Sequence, residues 1–135
     1  MDYQFLVSGT VIKGNQLGRT LGFPTVNILP DHHSVVEIPK GIYAVRVRVR
    51  DRLFDGMANL GTRPTLDLHE LVLEVNLFDI SEDLYGEKLI VYFYDFIREE
   101  IKFGSLDDLK KQIAQDETVV RTRLTGLFHP DSSSQ

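Results

Sequence analysis

The chain predicts a mainly β protein: five or six antiparallel strands curled into a closed or nearly closed barrel, ending in one amphipathic helix. Three observations carry this. From Ile42 to Arg50, Val45, Val47 and Val49 alternate strictly with Arg46, Arg48 and Arg50. That is the period-two pattern of a strand with one buried and one wet face. Other β-branched and apolar runs are separated by short segments rich in Gly, Pro, Asn and Asp, which are turn formers. Only near the C-terminus do apolar residues fall at helical spacing.

Taken in order, Phe5 to Lys13 mixes β-branched and apolar residues and predicts the first strand. A loop with Gly14, Gly18 and Gly22 follows, then the extended segment Phe23-Pro24-Thr25-Val26-Asn27. Asp31 to Lys40 reads as an irregular connector closed by Pro39 and Gly41. Ile42 to Arg50 is the clearest strand, and its arginine stripe reads as a solvated face rather than a phosphate site. Leu53 to Leu60, Leu71 to Asp79 and Lys88 to Ile97 are the remaining strands. Gly61-Thr62-Arg63-Pro64 and Ser81-Glu82-Asp83-Leu84-Tyr85-Gly86 read as the turns between them. The helix starts at Ser105, with Asp108 three residues on in a capping-box-like position. Leu106, Leu109, Ile113, Val120 and Leu124 share one face for packing, and Gly126 falls near the end. Residues 1–128 make one domain, and the serine-rich stretch 129–135 is expected to be a disordered tail.

With 135 residues, 42% of them hydrophobic and 26% charged, the chain suits a single core in an ordinary globular protein. No apolar run is long enough to span a membrane, and Met1-Asp2-Tyr3-Gln4 lacks signal-peptide character. There is no cysteine, which excludes disulfides, thiolate metal sites and cysteine nucleophiles. A cytoplasmic enzyme without membrane partners is the expectation. The net charge of −5 argues against a nucleic-acid partner while leaving room for a small basic phosphate pocket.

The candidate chemistry concentrates between Gly14 and Asn27. Glycines allow backbone N–H groups to approach an anion closely, and Arg19 lies among them. No Gly-Lys-Ser or Gly-Lys-Thr follows, so this is not a Walker A loop. An extended Pro segment rather than a helix comes next, so it is not a dinucleotide fingerprint. Pro24 stiffens the backbone. Thr25 and Asn27, two apart in an extended chain, present a hydroxyl and an amide in one direction. Hard oxygens of that kind suit a Mg²⁺ ion that is also held by phosphates, although Thr and Asn at a loop–strand junction equally serve local backbone groups. Glu74 shares a strand face with Val72, Asn76 and Phe78. A carboxylate there is either an outward residue in water or a general base on a rigid strand. His32, His33, His69 and His129 show no zinc-type spacing.

These segments together resemble the riboflavin kinase family, most closely the kinase module of bacterial bifunctional FAD synthetases. The resemblance rests on Gly14 through Asn27, Gly41-Ile42-Tyr43-Ala44, Ala58 through Thr65, and Leu73-Glu74-Val75-Asn76-Leu77. Asp83-Leu84-Tyr85-Gly86 and Ile97 through Phe103 continue it in the same order. It implies a six-stranded antiparallel Greek-key barrel with the helix packed outside. It also implies transfer of the ATP γ-phosphate to the ribityl 5′-hydroxyl of riboflavin, giving FMN. Glu74 would be the catalytic base, and Thr25 and Asn27 the ligands of Mg²⁺ or another divalent metal. Gly14, Gly18, Arg19, Gly22 and Pro24 would form a flap over ATP, with Arg98 and Phe103 near flavin and phosphate. The chain departs from the family at Val26, usually Ala, at Glu99, often Asp or Pro, and at Ile101, usually polar. The resemblance fits a kinase that stands alone or one joined to an FMN adenylyltransferase domain. From a different class, a small barrel with surface arginines also suits a non-catalytic flavin- or nucleic-acid-binding module.

Overall fold

The computed structural model describes residues 3–13, 25–31, 38–64, 69–80 and 82–127. Among the described residues six strands precede one helix: β1 (Phe5–Ile12), β2 (Val26–Pro30), β3 (Gly41–Val49), β4 (Arg52–Pro64), β5 (His69–Leu77), β6 (Lys88–Arg98) and α1 (Leu106–Leu127). All pairings are antiparallel, and the strands close in the order β1-β2-β5-β4-β3-β6. β3, β4 and β5 form a meander and β6 returns beside β3, which is the Greek-key arrangement. Closure leaves no free sheet edge.

Alternation decides what fills the barrel. Val45, Val47 and Val49 point inward with Val7, Val11, Leu60, Leu73, Val75, Leu89, Val91 and Phe93, all essentially dry. A second cluster lies outside the barrel wall. Ala44, Met57 and Phe78 meet Val120 and Leu124 of α1, with Tyr94, Ile97 and Ile113 at the margin. The helix starts as its sequence predicts, the Asp108 N–H donating to Ser105 Oγ at 3.1 Å. This satisfies one of the orphan donors of the first turn.

The structure corrects three expectations. Gly61-Thr62-Arg63-Pro64 is not a turn: β4 runs through it, pairing Gly61 with Val72 and Pro64 with His69. Proline is tolerated there because it ends the strand. Arg46 is not solvated. Its side chain is only 2% exposed, because α1 lies over that part of the β3 outer face. Arg46 Nε donates to Asp55 Oδ1 at 3.0 Å, and Nη2 donates to the Leu124 carbonyl at 2.8 Å. The guanidinium also stands 5.1 Å from the Tyr94 ring centroid. It thus places a cation at a helix C-terminus whose last turn has none of its own. Leu106, assigned to the packing face, is 56% exposed; α1 packs on the barrel wall further along, through Ile113, Val120 and Leu124. Arg48 and Arg50 are exposed as expected. The tail 129–135 lies outside the described residues.

Candidate active site

Register brings the site together. Glu74 on β5 pairs with Asn27 on β2 and with Asn59 on β4. Asn59 pairs with Ile42 on β3, and Ile42 pairs with Arg98 on β6 beside a register shift. Residues directly opposite in a sheet share a face. Asn27, Glu74 and Asn59 therefore form one polar row across three strands, on the outer wall of the barrel.

Glu74 is half-buried, and among the described residues its carboxylate has no hydrogen-bond or ion-pair partner. Burial pushes its pKa above the usual carboxylate range, and the charge of Glu100 pushes in the same direction. A carboxylate in this condition is suited to accept a proton from a bound hydroxyl. Thr25 lies at the entry to β2, half-buried, two residues from Asn27. A hydroxyl and an amide oxygen beside Glu74 are hard donors of the type Mg²⁺ takes when phosphates supply the rest. No group of three or more His, Cys, Asp or Glu among the described residues could cage a metal unaided. The donor set thus fits an ion that arrives with its phosphates.

Arg98 stands level with this row but is engaged elsewhere. Its Nε donates to both Asp116 oxygens at 3.0 and 3.1 Å, Nη2 donates to Asp116 Oδ2 at 2.7 Å, and Nη1 donates to the Glu99 carbonyl at 2.9 Å. Asp116 is buried on α1 and also accepts from Gln112 Nε2 at 3.0 Å. Gly41 lets β3 begin close against this corner. It has φ +149°, and a Cβ there would lie 2.5 Å from a Phe96 ring carbon and 2.7 Å from the Arg98 carbonyl oxygen. Phe103 lies apart from the Glu74 row. It lines an open groove of about 730 Å³ along α1, with Lys102, Asp108, Lys111, Gln112 and Gln115. Gln112 thus touches both the groove and the Asp116 clamp.

Gly14, Gly18, Arg19, Gly22 and Pro24 lie outside the described residues. Sequence reasoning did not single out Asn59 or Asp116. Asn59 sat within a quoted motif, but only register places it opposite Glu74. Asp116 had a readable signal: it falls on the apolar stripe between Ile113 and Val120, where an unpaired charge would be costly.

Barrel and candidate site together define a class: a small closed Greek-key barrel with a polar row, Asn27, Glu74 and Asn59, on its outer wall. The chain belongs to the riboflavin kinase family, whose model, described as Flavokinase, riboflavin kinase, matches residues 1–124. It is 50% identical over 113 residues to the bifunctional riboflavin kinase/FMN adenylyltransferase of Haemophilus influenzae, covering 83% of this chain and 36% of that protein. Its identity to the Escherichia coli protein of the same description is 45% over 131 residues, 96% of this chain and 41% of the relative. An RNA-binding riboflavin kinase of Bacillus subtilis is 41% identical, with 93% and 55% covered. A solved structure described as a macrolide-efflux protein from Streptococcus pneumoniae superposes with a TM-score of 0.80 at 39% identity, covering 86% of this chain and 38% of that one. The chain therefore spans well under half the length of the two bifunctional relatives. No helix among the described residues is long and apolar enough to cross a membrane.

Proposed function

We propose that this chain is an ATP-dependent riboflavin kinase, moving the γ-phosphate of ATP to the ribityl 5′-hydroxyl of riboflavin to give FMN and ADP. The observation that carries the reading is the row Asn27–Glu74–Asn59, which sets between two amides a half-buried carboxylate that has no partner among the described residues. Family membership supplies the reaction class.

In this reading Glu74 orients the 5′-hydroxyl and accepts its proton as the phosphoryl group is transferred. Asn27 and Asn59 flank the carboxylate and confine its approach. Thr25 and Asn27 would hold Mg²⁺ through oxygen, and the ion, when bound, neutralises charge on the phosphates. Gly14, Gly18, Arg19, Gly22 and Pro24 would cover the nucleotide and keep water from it. The flavin would lie along the groove beside Phe103. Arg98, through Asp116, would fix the segment between β6 and α1 that borders it. Positioning and charge stabilisation supply most of the acceleration in such reactions.

The bifunctional relatives fit a chain that is the kinase part of a protein also carrying FMN adenylyltransferase activity. The reaction needs neither nucleic acid nor membrane, and an ATP donor fits the cytoplasm. The test is FMN formation from riboflavin and Mg-ATP, resolved by chromatography with fluorescence detection. Wild type is expected to turn over, and Glu74→Gln to lose turnover while still binding riboflavin. A folded wild type that makes no FMN with Mg²⁺, Mn²⁺ or Zn²⁺ would overturn the reading.

A further inference from the structure

The groove along α1 holds one polar group whose orientation the fold dictates. Gln112 lines the groove, half-buried, and one turn along the helix Asp116 is 4% exposed. Gln112 Nε2 donates to Asp116 Oδ1 at 3.0 Å. Asp116 does not let the amide turn round. Its oxygens already accept from Arg98 Nε at 3.0 and 3.1 Å and from Arg98 Nη2 at 2.7 Å, and a carboxylate gripped by a guanidinium has no proton to donate. A flipped amide would bring its oxygen against Oδ1, two acceptors face to face. The nitrogen therefore turns inward. Oε1, which has no partner among the described residues, is left to the groove.

The groove's other polar groups complement that oxygen. Lys111, next in the chain, can only donate, and Gln115, three residues on and so on the same helix face, carries an amide that can donate. Phe103 adds an aromatic ring to the same groove. An acceptor with donors on either side matches a planar imide edge, in which an N–H stands between two carbonyl oxygens. An oxidised flavin carries such an edge and no other ring N–H. We propose that Gln112 is a specificity-determining residue of the groove: its Oε1, aimed by Asp116, accepts the imide N–H of the bound ring. The ligand's identity rests on the kinase reading. The Arg98–Asp116 pair gains a second task besides joining helix to barrel. Asp108, another acceptor in the groove, is exposed, so water satisfies it. An amide oxygen already held in place loses little freedom on binding.

The experiment compares riboflavin with 3-methylriboflavin, in which a methyl group replaces the imide proton. Fluorescence quenching gives Kd for each with Mg-ADP present, and FMN formation is followed separately. Wild type should bind riboflavin about three- to tenfold more tightly, the range of one net hydrogen bond. Gln112→Leu, which keeps a good helix former at that position, should remove most of the gap. Asp116→Asn, which lets the amide turn either way, should narrow it, with urea midpoints reporting on folding. The ratio of the two affinities is the readout, because a general loosening of the groove weakens both ligands alike. Equal binding of the two flavins by wild type overturns the proposal, as does a gap that survives Gln112→Leu or disappears in Asp108→Asn. A gap unchanged in folded Asp116→Asn overturns the aiming role of Asp116. Discrimination without FMN formation sinks the kinase reading alone, and FMN formation without discrimination sinks the Gln112 assignment alone.

Discussion

Glu82 and Glu74 are the same residue type near opposite ends of β3, and the fold treats them in opposite ways. Glu82 lies in solvent with two arginines on it, Arg52 Nη2 at 2.5 Å and Arg50 Nη1 at 3.3 Å, while Arg50 also reaches Glu87 at 3.3 Å. The hydrogen bond from Arg52, then that from Arg50, holds its carboxyl below the usual carboxylate range. Glu74 is half-buried beside neutral amides, and burial followed by the nearby Glu100 charge holds it above that range. The paired end is orderly but gains little from its ion pairs, since exposed charges trade water for one another almost evenly. The Glu74 end, which has no partner among the described residues, carries a standing cost that a proton would relieve. Such uncompensated groups are what a catalytic surface needs and a purely structural one avoids.

The largest expected effect breaks the comparison at its Glu74 side. Glu74→Gln should lower the rate of FMN formation by roughly 10²–10⁴-fold, the range for losing a general base, with riboflavin fluorescence quenching still reporting binding. Next comes the clamp between barrel and helix. Arg98→Ala leaves a carboxylate that is 5% exposed without its cation, and should cost about 3 kcal/mol of stability, read as a lower urea midpoint. If its midpoint matches wild type, the clamp has no structural role.

Stability against pH sharpens the contrast further, because the two glutamates carry opposite signs. The folded-state pKa of Glu74 is raised, so its contribution is present below about 4.5, the ordinary value, and is lost as pH rises through the folded value. Glu74→Gln should therefore gain stability relative to wild type on going from pH 4 to pH 7. For Glu82 the folded value is lowered, so its contribution is present above the ordinary value and fades as pH falls through the folded one. Glu82→Gln should lose slightly at pH 7, show no loss well below pH 4, and lose less in high salt. This is the smallest of the expected effects. Urea midpoints across pH check both, and parallel curves for the two variants would contradict the assigned directions.

Much of this was legible before any coordinates, for a definite reason. Val45, Val47 and Val49 on β3 announce a buried face because period two is a local property of extended backbone. Ser105 announces the start of α1 because a cap acts within three residues. Glu74 could be placed on the correct strand face by the same parity. Arg46 shows where parity stops: it identifies a face without saying what covers it, and α1 covers it from far along the chain. Gly61 to Pro64 shows a second limit. Turn-forming residues advertise a turn, but pairing with β5 from His69 onward holds them extended.

By itself the sequence determined the element order, the inward set of the barrel, the helix start and the strand face on which Glu74 lies, each through interactions a few residues long. Only the tertiary structure decided that Asn59 flanks Glu74, that Asp116 claims Arg98 and that Glu100 rests on Gly61. Those contacts join residues 15 to 39 positions apart. They depend on strand register and on the seat of the helix, which barrel closure and core packing settle together rather than any local pattern.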